Sequence, residues 1–339
     1  MVRCYRPDWV HEVTLCTIDR RWWFEADNVG VRRAILGALA AAQRRTRVRV
    51  HAFVFMSNHY HGLFSADYPE QFSMFLQLFH AAVARIVNRR WQRSGRVWSG
   101  RAVVIPVAPD EESQLQRLEY LLAQNGKAGI GAHPSAWPGA SSTPWLLDGT
   151  PLVGECLDQT AVALAGRNGR SPGDLAAYTE ELAVEMAPLP CFVGRPEAEW
   201  RAQIQQLAQG VAERFGASSA DSAAEVAEEA VRAAAACSNM ASGPLDGVPS
   251  DLDEAAERVR ISKPPPRKAI KRVHAARSDV RAQLEEELDA FEEAYRLSAA
   301  ALRAESAKLA AGLPAQAVRF PMWSFPARAT PWPRWPDLL

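Results

Sequence analysis

Cysteine is scarce. The 339 residues hold five, Cys4, Cys16, Cys156, Cys191 and Cys237, scattered and without a C-x-x-C pair. That pattern argues against a disulfide framework and a cysteine zinc site, and it fits a reducing cytoplasm. No apolar run approaches the roughly 20 residues that a membrane-spanning helix needs, and the N-terminal residues lack a signal-peptide pattern. The expectation is a cytoplasmic chain with no membrane partner. A G-x-x-x-x-G-K-[ST] phosphate loop is absent, as is any obvious cluster of Asp and Glu that would hold two metals. Internal repeats are absent too.

Net charge is also missing, but its zero hides an asymmetry. Residues 1–150 carry 18 Lys and Arg against 12 Asp and Glu, and residues 151–339 carry 21 against 27. The basic half is densest at 81–101, AAVARIVNRRWQRSGRVWSGR, with Arg85, Arg89, Arg90, Arg93, Arg96 and Arg101, two tryptophans and no acid. Arginine beside aromatics suits phosphate contact and base stacking. Cations also favour a helix C-terminus, so a solvated helix end is the competing reading.

Apolar periodicity divides the first half into elements. Residues 9–18 and 47–65 read as strands, and 97–107 as a strand or hairpin edge. Residues 29–45, 70–92 and 111–125 read as helices, the first capped by Asp27 or Asn28. Phe72, Phe75, Leu76, Phe79, Val83, Ile86 and Val87 form the stripe of the second helix. This alternation predicts an α+β domain of ferredoxin-like, split βαβ type over 1–150, with an antiparallel sheet. Residues 151–339 read as a mainly helical C-terminal region. Helical tracts are expected near 172–187, 197–236 and 269–311. SGPLDGVPSD (242–251) reads as a linker and KPPPRK (263–268) as a polyproline-like element. The tail bears Phe320, Trp323, Phe325, Trp332 and Trp335 among Arg319, Arg328 and Arg334. Such a tail either stacks on bases or docks on its own domain.

The stretch FVFMSNHYHGLF (53–64) carries the chemistry. Strand residues i and i+2 share a face. His59 and His61 therefore project together while Tyr60 turns into the core. Two imidazoles so placed can share one divalent metal, or they are two half-exposed surface histidines. Asn58 either orients them from behind or serves a turn. In LQRLEYLLAQNGKAGI (115–130) the stripe is Leu115, Leu118 and Leu122, and Tyr120 lies off it, in line with Gln116 and Gln124. Gln124 carries a carbonyl oxygen able to ligate a hard cation. Lys127 is a candidate to approach a phosphate, against a plainer role at the helix end. His11, His51, His80, His133 and His274 read as structural, and Glu119 as solvent-facing.

In this order, MSNHYH, a basic aromatic helix, RVWSGR and YLLAQNGKAGI resemble the single-tyrosine HUH transposases: the insertion-sequence tyrosine transposases and REP-associated tyrosine transposases. The family's Met-x-Asn-His-hydrophobic-His strand is matched by Met56, Asn58, His59, Tyr60 and His61. Its catalytic helix, with a tyrosine and a Gln or Asn four residues on, is matched by Tyr120 and Gln124. VWSGR resembles the strand between the two motifs. Gly126 stands where many relatives have proline. The resemblance covers about residues 5–140. It implies a nuclease and strand-transfer enzyme acting on single-stranded or hairpin DNA. Tyr120 would form a 5′-phosphotyrosine, and the histidine pair would hold Mg²⁺ or Mn²⁺. Some relatives swap the tyrosine helix between subunits, so a homodimer is one expected assembly, and a monomer the other. Two rival readings share the fold: a hairpin-binding module without chemistry, and a metal phosphodiesterase in which water attacks.

Overall fold

β-Branched and aromatic residues form the first strand, β1, at Val10–Cys16. Helix α1 follows at Val29–Thr46, and the Asn28 side chain caps it by accepting from the Val31 amide. The chain continues through β2 (Arg49–Met56), β3 (His59–Ser65), α2 (Pro69–Arg90), β4 (Val103–Val107), α3 (Glu111–Leu122) and the short α4 (Gln124–Lys127). Beyond these lie α5 (Thr143–Asp148), β5 (Val153–Leu157), α6 (Gln159–Arg167), β6 (Thr179–Ala183), α7 (Glu197–Gly216) and α8 (Ser278–Ala310). The computed structural model describes residues 6, 9–167, 175–216 and 272–322.

The main sheet has the order β2-β3-β1-β4, with every neighbouring pair antiparallel. β1 and β2 thus run parallel with β3 between them, joined by α1; β3 and β4 do the same around β1, joined by α2. This is the expected α+β, ferredoxin-like arrangement. One correction concerns residues 47–65, which form two strands rather than one. Ser57 and Asn58 make a two-residue turn, and Met56 pairs with His59 across it. The turn is tied down from outside, since Thr17 N donates to Asn58 O and Phe24 N to Ser57 O. Alternation alone cannot reveal a tight turn inside an apolar run. A second correction shortens the expected strand at 97–107 to Val103–Val107, preceded by a loop that touches β1 through the Thr17–Trp98 bridge.

Helices α1 and α2 cover one face of the sheet. Phe72, Phe75 and Phe79 of α2 are fully buried there against Tyr60 and Phe64. Each such side chain contributes about 1.5–3 kcal/mol by leaving water. The opposite face carries Val10, Ala52, Val54 and Leu63, packed against Leu118, Leu121 and Leu122 of α3. Helix α7 backs this second layer with Trp200, Ile204, Ala208 and Val211, buried at helical spacing.

Residues after 150 join both layers. In the tract near 172–187 the described residues form no α-helix: a 3₁₀ turn at Leu175–Tyr178 leads into β6, which pairs with β5 in a two-stranded sheet. This two-stranded sheet packs on α1 through two glycines. A Cβ on Gly154 would fall 2.1 Å from Gly37 N, and one on Gly37 would fall 2.2 Å from Glu155 O. Ion pairs from Arg33 to Glu181 and from Arg44 to Glu180 flank the contact. Tertiary pairing here overrides the helical propensity of an alanine-rich stretch. The helix expected over 269–311 begins only at Ser278. Between bends at 272 and 276, His274 forms a parallel bridge to Val107 at the edge of β4. Of the tract at 197–236, residues 217–236 lie outside the described residues, as do 242–251, 263–268 and the tail from Trp323. Phe320 is described and packs on Tyr295 of α8.

Candidate active site

The Ser57–Asn58 turn starts β3 with His59, Tyr60 and His61 in alternation. Tyr60 enters the α1–α2 layer, fully buried, with its Oη 2.5 Å from His80 Nε2. His59 and His61 turn to the other face. Their ring centroids lie 5.2 Å apart with the planes at 87°.

Each ring is held through Nδ1. The Asn58 amide is oriented by Nδ2, which donates to Arg20 O, so its Oδ1 accepts from His59 Nδ1 at 2.7 Å. Asn58 therefore fills both roles considered for it, turn and orienter. His61 Nδ1 lies 2.9 Å from Thr14 Oγ1, the residue directly opposite on β1, and 3.2 Å from Glu12 Oε1. Glu12 is only 4% exposed. Burial alone would raise its pKa, but the close contact of His274, the hydrogen bond from His61 and the charge of Arg117 together outweigh that. They hold the carboxyl well below the usual carboxylate range. A carboxylate only accepts, so the proton of His61 sits on Nδ1. Both imidazoles thus keep an Nε2 lone pair for a ligand. Burial, then His61 and Arg20, push the pKa of His59 down to about 4, which keeps that ring neutral.

Helix α3 brings Tyr120 to this face. Leu118, Leu121 and Leu122 anchor the helix on the sheet, and the half-buried Tyr120 ring meets His61 with centroids 5.4 Å apart. The Arg117 guanidinium lies 4.2 Å and Lys127 Nζ 3.5 Å from the ring centroid. Desolvation, then the charge of Arg117, lowers the pKa of Lys127. Lys127 is exposed at the end of α4, with its cation over the ring. No described residue hydrogen-bonds the Tyr120 hydroxyl.

Gln124 is buried at the start of α4, and its Nε2 donates to Tyr120 O at 2.7 Å. Its Oε1 accepts from no described residue. Gly126 follows because the Phe215 ring of α7 occupies the space beside it; a Cβ there would meet that ring at 2.5 Å. Among the described residues no group of three His, Cys, Asp or Glu could hold a metal ion. The donors that fit a divalent cation are therefore the two imidazole Nε2 nitrogens with the Gln124 amide oxygen as the candidate third. That mixed nitrogen and oxygen set suits Mg²⁺ less than it suits Mn²⁺.

Sequence reasoning missed four residues here: Glu12, Thr14, Arg117 and His274. Glu12 had a local signal, an acid inside the apolar strand WVHEVTLC. His274 had none, since its place depends on the short segment beside β4. It lies 2.9 Å from Glu12 Oε2 through Nε2. Glu119 is not simply solvent-facing either, because it pairs with Arg214 of α7.

The basic patch divides in two. Arg90 forms a bidentate pair with Glu25 at 2.7 and 2.9 Å. Arg93 stacks over Trp23 and donates to Asn88, and Arg96 donates to the carbonyls of Trp98 and Ser99. These three shape the loop after α2. Arg85, Arg89 and Arg101 are exposed and form no hydrogen bond or ion pair among the described residues.

Among the described residues no helix is long and apolar enough to cross a membrane. No protein-family model matches the chain, and no curated protein matches it. Among solved structures the chain is similar to a REP-associated tyrosine transposase bound to a REP hairpin, at 16% identity and a TM-score of 0.33, over 42% of this chain and 81% of that one.

Proposed function

We propose that the protein cuts and rejoins single-stranded DNA beside a hairpin, with Tyr120 as the nucleophile. The observation that carries this reading is the meeting of Tyr120 with the His59–His61 pair on one sheet face, the phenol ring contacting His61 and flanked by two cations. A lone histidine pair suits many sites. A phenol without a described hydrogen-bond partner, set beside such a pair, suits attack on a phosphodiester.

His59 and His61 would hold a divalent cation, Mg²⁺ or Mn²⁺, with Gln124 as third protein ligand. Such an ion neutralises charge on the non-bridging oxygens of the scissile phosphate. Asn58 and Glu12 keep the Nε2 lone pairs turned outward. The Tyr120 oxygen bonds to phosphorus as the bond from phosphorus to the 3′ oxygen breaks. The phenol gives up its proton and the departing oxygen takes one up. Arg117 and Lys127 stabilise the negative charge that develops on the reacting oxygens. The resulting 5′-phosphotyrosine conserves the bond energy, so rejoining needs no nucleotide. Arg85, Arg89 and Arg101 would contact backbone phosphates of the same DNA strand.

The test is incubation with a library of hairpin oligonucleotides in Mg²⁺ or Mn²⁺, followed by a denaturing gel. A covalent protein–DNA band that maps to Tyr120 is expected. Cleavage without an adduct points to water as the nucleophile, and tight binding without cleavage points to a binding module.

A further inference from the structure

The short segment around His274, just before α8, adds to the free edge of β4. Ala108 N donates to His274 O and His274 N donates to Pro106 O, both at 2.8 Å. Val273 and Ala275 are buried beside it with Trp9, Ala108, Leu284 and Leu288. This anchoring carries the His274 side chain across the end of the sheet to Glu12.

The hydrogen-bond directions there are determined. Arg117 Nη1 lies 3.1 Å from His274 Nδ1. A guanidinium only donates, so Nδ1 of His274 accepts and its proton resides on Nε2. That Nε2 lies 2.9 Å from Glu12 Oε2, and the other carboxylate oxygen, Oε1, faces His61 Nδ1 at 3.2 Å. Arg117 donates to His274 and His61 to Glu12 Oε1, while His274 Nε2 stands 2.9 Å from Glu12 Oε2 as an ion-pair contact outside regular hydrogen-bond geometry, leaving that oxygen with no hydrogen bond among the described residues. Glu12 is buried and has two oxygens to satisfy. Remove the His274 contact at Oε2 and the carboxylate is free to turn away from His61.

We propose that His274 is a positioning residue for the histidine pair: with Arg117 it orients the Glu12 carboxylate so that His61 keeps its proton on Nδ1 and offers Nε2 to a ligand. The C-terminal part of the chain thereby completes a site whose other members lie before residue 130. The inference rests on the proposed reading only in taking His61 as a ligand.

The experiment uses the full-length protein labelled with ¹⁵N in histidine, without added metal. Long-range ¹H–¹⁵N spectra report which nitrogen of each ring carries the proton. In the unsubstituted protein His61 should be the Nδ1–H form. His274→Gln keeps a donor for Glu12 and an acceptor for Arg117, and should retain that form. His274→Leu keeps bulk but offers neither, and His61 should then show a mixture of tautomers. Mn²⁺ affinity, read by electron paramagnetic resonance, should fall by about 10-fold or more in the Leu variant and stay near normal in the Gln variant. The proposal is overturned if His61 keeps Nδ1–H and Mn²⁺ affinity is unchanged in the Leu variant while only the melting temperature drops. That result would leave His274 a packing residue. Should the Leu variant not fold, His274→Asn, too short to span both partners, takes its place; spectra equal to those of the Gln variant overturn the proposal. Failure to form a DNA adduct, with the tautomer change intact, counts against the Tyr120 reading alone.

Discussion

The Tyr120 ring meets the His61 imidazole edge to face, with centroids 5.4 Å apart and planes at 80°. The contact joins α3 to β3 and uses only the ring of the tyrosine. Tyr120→Phe should therefore leave stability within about 0.5 kcal/mol of the parent. Hairpin binding and Mn²⁺ binding should be near normal, while no covalent adduct and no cut should form. A denaturing gel and a thermal melt check both halves. Cleavage that survives the substitution removes Tyr120 from the mechanism.

Lys127 lies over the same ring. Lys127→Met keeps the aliphatic stem but not the charge. Adduct formation should slow by about 10²-fold, the scale expected when one charge-stabilising donor is removed, with the hairpin Kd changed far less. Single-turnover kinetics at saturating DNA would measure this, and an unchanged rate would exclude a role for the cation.

The two parts of the basic patch should respond differently. Replacing Arg85, Arg89 and Arg101 by Ala should lower the salt slope of single-strand binding by about 0.7 for each phosphate that is no longer neutralised. Arg93→Ala and Arg96→Ala should mainly lower the melting temperature, since they release Trp23, Asn88 and the carbonyls of the 98–99 loop. Titrations at several salt concentrations distinguish the two. An unchanged slope in the triple variant would place the exposed arginines away from DNA.

His51 predicts a pH dependence of stability. It is buried at the irregularity of β2, with Nδ1 donating to Pro188 O at 2.8 Å and Nε2 accepting from Ser65 Oγ at 2.8 Å. Burial outweighs the backbone hydrogen bonds and lowers its pKa to about 4. The unfolded chain takes up the proton near pH 6.5 and the folded one does not, so stability falls as pH drops from about 6.5 through about 4. The fall is of the order of a few kcal/mol. His51→Gln should abolish that part of the pH dependence, and urea unfolding of both proteins at pH 7, 5.5 and 4.5 would reveal it. Parallel pH curves would show that His51 is protonated in the fold.

Gly154→Ala should be destabilising by about 1–3 kcal/mol, because the added methyl meets α1 backbone that has no room to move aside. The effect would appear in thermal unfolding, with Mn²⁺ affinity unchanged because the β5–β6 sheet packs on α1, on the face of the main sheet opposite the histidines. A melting temperature equal to that of the parent would mean that the β5–β6 sheet rides less closely on α1.

Local pattern was enough for the strand β1, the helices α1, α2 and α3, and the common face of His59 and His61. In each case a residue's side is decided by a period of 2 or 3.6, which is written along the chain. The same logic set Tyr120 off the stripe of Leu118 and Leu122, and the structure places it beside His61. What the chain alone did not show depends on partners distant in sequence. The β2–β3 turn is held by Thr17 and Phe24, and β6 is a strand because β5 pairs with it. Arg90 is spoken for by Glu25, which no count of arginines reveals. His274 reaches Glu12 only because residues 272–276 find the open edge of β4. A strand edge offers unpaired donors and acceptors to any segment that can reach it, and which segment arrives is decided by the packing of Val273 and Ala275, not by their sequence neighbours.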